Sequence, residues 1–203
     1  MNRIPKGDVR IELYREELSC KGAGFRYTAL WRLHDLLGAD EVPILKTILR
    51  SEPEAYVRRL SAQLLGLHGD PGTLDVLLQA YRDPDPTVQV TAAASLNRLG
   101  QPGPAEEIFP RLAPSLRDPD GAVRREAVGD ICRLGLLSSA PLILQSFRDS
   151  NGDVRFAAAR GVVDLDPPGL RSTLDELRKD PDPNVVEAAD FAIKMYERAH
   201  KPK

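Results

Sequence analysis

Apolar residues recur along this chain at helical spacing, and the pattern itself recurs. In the stretch Asp118–Gly135, Pro119 and Gly121 mark a turn and Asp120 is placed to cap the helix that follows. Val123, Ala127, Ile131 and Leu134 then fall on one helix face, and Gly135 suits a helix C-terminus. The leading valines of this stretch and its counterparts are Val57, Val88, Val123, Val154 and Val185, which lie 31, 35, 31 and 31 residues apart. A near-constant period of that length predicts stacked helical hairpins, an all-α solenoid.

Read in order, the pattern predicts a single domain over 1–203 with six hairpins, in units of about 8–38, 39–69, 70–100, 101–135, 136–166 and 167–200. Residues 1–7 read as a tail. Asp8 then begins a helix to Ser19 with Val9, Leu13 and Leu18 on its apolar side and a polar outer face, as an N-terminal cap requires. Its partner runs from Phe25 to Leu37, where Phe25, Ala29, Leu33 and Leu36 repeat the pattern of Val123 to Leu134. The later pairs are Val42–Leu49 with Ala55–Leu67, Thr73–Tyr81 with Thr87–Leu99, and Ala105–Leu116 with Ala122–Leu134. Ala140–Phe147 with Asp153–Leu165 and Leu170–Leu177 with Asn184–Ala199 complete the set. Prolines directly after acidic residues, as in Asp83-Pro84-Asp85-Pro86 and Asp180-Pro181-Asp182-Pro183, stop one helix and leave an aspartate to cap the next. Pro110 and Pro114 predict a bent or split helix in the longer fourth unit. Asp190 stands where earlier units place Leu30, Ala62, Ala93, Val128 and Ala159, which suggests that no further unit stacks there and that the array ends within the chain.

Composition narrows the function classes only a little. Hydrophobic residues at 42% support a packed interior, and a net charge of −2 lacks the basic excess of a dedicated nucleic-acid binder. No apolar run has the 18 or so residues that a membrane span needs, and the start of the chain lacks the apolar segment of a signal peptide, so a cytoplasmic location is expected. Cys20 and Cys132 fall in distant units and read as reduced thiols. His34, His68 and His200 form no local metal-ligand motif, and no CxxC occurs, so neither metal nor cofactor is expected. Nucleophile elbows and phosphate loops are missing. Trp31, His34 and Asp35 share one helix, where helix-surface residues explain them better than catalysis does.

The pattern Asp-Pro-x-x-x-Val-Arg-x-x-Ala followed by leucines and glycine resembles the HEAT-like repeats of the short bacterial kind, first grouped with the phycobilisome lyases. Asp118 to Ala127 with Gly135 carries it, as do Asp149, Val154, Arg155 and Ala158, and Asp83, Val88, Ala92 and Gly100. The resemblance implies a right-handed superhelix whose second helices line a concave surface. Its members include scaffolds, bilin lyases, a di-iron hydroxylase and a class of DNA glycosylase, so it informs fold more than function.

Two sets of residues follow from that frame. Arg58, Arg124 and Arg155 come directly after leading valines and are expected to reach Asp83, Asp118 and Asp149 as a structural ladder between units. Tyr27, Trp31, Arg59, Gln63, Arg98, Arg125, Arg133, Phe156, Arg160 and Phe191 turn away from the shared core on second helices. Arginine and aromatic side chains are the types enriched in binding hot spots. They read as a concave partner-binding surface, suited to a protein with an acidic face. The expectation is therefore a non-catalytic scaffold or adaptor. The alternatives are a bilin lyase-type or chromophore-chaperone subunit, and a nucleic-acid binder using the concave arginines.

Overall fold

The structure, a computed structural model, describes residues 9–200, all of whose regular elements are helical. The expected tail and the helix start at Asp8 lie outside the described residues. Twelve α-helices follow one another: α1 (Val9–Glu17), α2 (Ala23–Leu37), α3 (Val42–Ser51), α4 (Ala55–His68), α5 (Leu74–Ala80) and α6 (Pro86–Arg98). After these come α7 (Gly103–Leu112), α8 (Gly121–Leu134), α9 (Ala140–Ser146), α10 (Gly152–Gly161), α11 (Leu170–Leu177) and α12 (Pro183–Ala199). They group into two compact units, divided between Pro104 and Ala105.

In the first unit α3 packs on α4 and α5 on α6, while α4 lies against both α2 and α6. Its core joins Leu30, Leu45, Leu49, Val57, Leu64, Leu65, Leu77, Val88 and Leu96. The second unit repeats the plan: α10 packs between α8 and α12, and α11 on α12. Its core joins Val128, Ile131, Ile143, Val154, Ala158, Val162, Leu174, Val185 and Ile193. Removing such side chains from water stabilises by roughly 1.5–3 kcal/mol each for the larger aliphatics. Small residues set how closely the second helices approach. Ala127 and Ala158 are buried, and a side chain on Gly66 of α4 would collide with Ser95 of α6.

The turns have a shared chemistry. Asp85, Asp120, Asn151 and Asp182 each accept the backbone N–H two residues on, capping α6, α8, α10 and α12. Gly69 and Gly135 close α4 and α8 in the left-handed conformation, with φ of +66° and +70°.

Two expectations are corrected and one is met. Val123 is 37% exposed, whereas Val57, Val88, Val154 and Val185 are buried. Phe25, at the same register in α2, is 64% exposed. Both sit on the first of the long second helices in their own unit, with no earlier one in that unit to cover them. As Pro110 and Pro114 predict, the helix over 105–116 is split: α7 stops two residues after Pro110, and a 3₁₀ segment runs over Ala113–Arg117. The helix expected to Leu165 is α-helical only to Gly161 and tightens into a 3₁₀ turn over Val162–Leu165. Pro167 and Pro168 follow and have no N–H to continue an α-helical ladder.

Candidate functional site

The arginines after the leading positions form a repeated clamp. Arg58 donates through Nε and Nη2 to the two carboxylate oxygens of Asp83, both at 2.8 Å. Its Nη1 donates to the main-chain carbonyls of Glu52 and Pro53 in its own turn. Arg124 repeats this on Asp149, at 2.8 Å twice, and Arg155 on Asp180, at 2.7 and 2.8 Å. Arg26 does the same with Glu52, at 2.7 and 2.5 Å. Each acceptor also takes the backbone N–H two residues further on: Glu54, Asp85, Asn151 and Asp182. The guanidinium therefore ties one turn to the next, with fork-to-fork geometry that adds direction as well as strength. Hydrogen bonds from Arg124 hold the Asp149 carboxyl below the usual carboxylate range, and those from Arg155 do so for Asp180.

One expected member of this ladder takes a different role. The Asp118 carboxylate accepts from the backbone N–H of Asp120, and Arg124 donates to the Asp118 main-chain carbonyl instead. The reason is that each arginine reaches forward to the following turn, 25 residues on for Arg58, Arg124 and Arg155. Asp180, which the sequence places only in a turn, and Glu52 are the further acceptors. A constant offset of 25 from the arginine would have found Asp180. Gln89 holds the arginine register of its own hairpin and donates to the Asp83 main-chain carbonyl at 2.6 Å.

The side chains expected at the partner surface fall into two groups, one in each unit. In the first unit Tyr27 is half-buried and packs on Tyr56, with ring centroids 5.7 Å apart. Trp31 is exposed and meets His34 edge-on, Arg59 and Gln63 are half-buried, and Arg98 is exposed. In the second unit Arg125 is exposed, and Arg133 is half-buried in an ion pair with Asp130 one turn earlier on α8. Phe156 is 38% exposed and Phe191 42%. The Arg160 guanidinium lies over the Phe191 ring, 4.2 Å from its centroid. Phe156 and Arg160 are one helical turn apart on α10, and Phe191 and exposed Met195 one turn apart on α12. These four residues make a contiguous stripe. Met195 was absent from the expected set, although its spacing from Phe191 places it on the same helix face. Asp190 extends from α12 to Arg178, at 2.8 Å.

A cluster that no local motif announces lies in the first unit. His34 is in the last turn of α2, His68 is the last residue of α4, and Glu41 ends the 3₁₀ turn Gly38–Glu41 that leads into α3. His34 Nδ1 and His68 Nε2 both lie 2.5 Å from Glu41 Oε1. The rings stand edge to face, 5.3 Å apart. Glu41 is 1% exposed, and its Oε2 is buried with no hydrogen-bond partner. The three residues are separated by 7 and 27 positions in sequence, so the packing of α2 on α4 has to be known before they can be grouped. A search for local metal-ligand motifs therefore does not find them. Cys20 is exposed and Cys132 is buried. Among the described residues, no helix is long and apolar enough to cross a membrane.

A family model described as HEAT repeats matches residues 42–108 and 109–194. The chain is similar in structure to the complex of CpcE and CpcF of phycocyanin lyase from Nostoc sp. PCC7120, with a TM-score of 0.57 and 23% identity over 93% of this chain and 79% of that one. It also aligns with human deoxyhypusine hydroxylase in complex with glycerol, with a TM-score of 0.43 and 19% identity over 95% and 86% of the two chains. No curated protein matches the sequence.

Proposed function

The chain belongs to the HEAT-repeat family, and from that premise we propose that it is a non-catalytic scaffold or adaptor that binds another protein on its second helices. The observation that carries this reading is the stripe of Phe156, Arg160, Phe191 and Met195 on α10 and α12. The core of the second unit is completed by the opposite faces of these helices, through Val154, Ala158, Val185, Ala189 and Ile193. Neither Phe156 nor Phe191 is part of that core, and both remain partly exposed. Aromatic side chains held on rigid helices offer large apolar contact at low entropic cost, and arginine adds polar contacts. Arg160 and exposed Arg125 favour a partner that presents carboxylates, and such charges speed encounter most at low salt.

The test is photo-crosslinking. A photoreactive residue placed at Phe156 is expected to capture a discrete protein from the native lysate, in a yield that falls with added salt. The same residue at exposed Gln145 of α9 is expected to capture none. Equal crosslinking from both positions contradicts a dedicated surface on the second helices.

A further inference from the structure

We propose that His34, Glu41 and His68 form a binding site for one divalent first-row transition ion, of which zinc is the probe. Two imidazole nitrogens and one carboxylate oxygen, all within 4.8 Å of one another, are a donor set that suits zinc and its neighbours. Magnesium and calcium, which prefer oxygen alone, are disfavoured.

Three independent features point to a cation. First, Glu41 is a carboxylate at 1% exposure whose immediate polar partners are two imidazoles, with no arginine or lysine bonded to it among the described residues. Burying a carboxylate without a full counter-charge is costly. Second, Oε2 of that carboxylate is buried without a hydrogen-bond partner, and a bound cation supplies one. Third, His34 and His68 sit at the C-terminal ends of α2 and α4, where the helix dipoles present negative potential to a cation. The donors come from two packed helices and the turn that joins α2 to α3, so their positions are set by the fold rather than by a mobile loop.

The His34 side chain is 25% exposed and that of His68 11%, so solvent reaches the cluster from the His34 side. Three protein donors leave at least one coordination position for water or an incoming ligand. The ion takes the place of the proton on His34 Nδ1 and on His68 Nε2. A neutral ring keeps its single proton on the other nitrogen, while a protonated ring releases one to solvent.

The experiment uses the full chain, stripped with chelator and then titrated with zinc sulfate by calorimetry, with elemental analysis after gel filtration. One equivalent of zinc is expected, with a rise in melting temperature on loading. His34→Gln and His68→Ala should each weaken binding by about 100-fold or more, since even partners outside the coordination shell change affinity about 10–100-fold. Both should also abolish the zinc-dependent rise in melting temperature. His34→Gln, at a partly exposed position, keeps a hydrogen-bonding side chain, and circular dichroism checks its fold. Cobalt loading adds a visible spectrum that reports nitrogen and oxygen donors in the parent alone. If the parent retains no stoichiometric zinc, or if both folded variants retain it as tightly as the parent, the proposal is overturned. The cluster is then a hydrogen-bonded structural contact only.

Discussion

Gly66→Ala should destabilise the protein, against the general rule that alanine improves a helix interior. Replacing glycine with alanine in α4 gains about 1 kcal/mol of helix propensity. The new Cβ, however, would stand 2.3 Å from Ser95 Oγ, 2.6 Å from Ser95 Cβ and 2.9 Å from Ser95 Cα on the neighbouring α6. Ser95 cannot simply rotate away, because its Oγ donates to the Ala62 carbonyl at 2.9 Å and both groups are buried. Losing that bond costs about 1 kcal/mol. The conflict with Cα involves backbone and so forces α4 and α6 apart, at about 1–3 kcal/mol for overpacking. The balance is a net loss of about 1–3 kcal/mol, and for a chain of this size each kcal/mol lowers the melting temperature by roughly 2–4 °C. Gly129→Ala is the matched control. Gly129 lies inside α8 with nothing within 4 Å of its would-be Cβ, so alanine there should stabilise by about 0.5–1 kcal/mol. Urea and thermal denaturation followed by circular dichroism measure both. Stabilisation by Gly66→Ala equal to that by Gly129→Ala would refute the close approach of α4 and α6.

Other expectations follow from the same geometry. Arg124→Ala and Arg155→Ala should each lose about 1.5–3 kcal/mol in chemical denaturation, because a carboxylate clamp is broken, while Arg98→Ala should stay within about 0.5 kcal/mol. Ala158→Leu, at a fully buried position on α10, should cost about 1–3 kcal/mol by the same assay. Acid should unfold the protein in part through Asp149 and Asp180. Their folded values are depressed, so their contribution is complete above the unfolded value near 4 and is lost as pH falls through the folded values. Below about pH 4 the melting temperature of the parent should therefore fall more steeply than that of the Arg124→Ala/Arg155→Ala double variant; equal slopes would count against the clamp.

Much of the helical plan was legible because it rests on local signals that recur. The valine register, the acidic-proline turns and the glycine stops each specify one hairpin on their own, and α4, α6, α8 and α12 begin and end within a few residues of expectation. The local conflict at Pro110 was also readable, since a missing N–H has the same consequence in any helix. What escaped depends on which turn faces which. Arg124 was expected on an aspartate and has one, but the choice of Asp149 over Asp118 is set by the forward reach between hairpins. The burial of the leading valines likewise fails at Val123, where exposure depends on the neighbouring helix and not on the residue. His34, Glu41 and His68 are the extreme case: no window of sequence contains all three at a recognisable spacing, and only the packing of α2 against α4 joins them.

The claim that the second helices bind a protein is tested most directly by titration calorimetry of the crosslinked partner, once identified, against the parent and a Phe156→Ala/Phe191→Ala double variant. Both substitutions remove exposed rings and should leave the circular dichroism spectrum unchanged. The account predicts that the double variant binds at least about 2 kcal/mol more weakly, in the range of interface hot spots. Equal affinity of the folded double variant and the parent would contradict it.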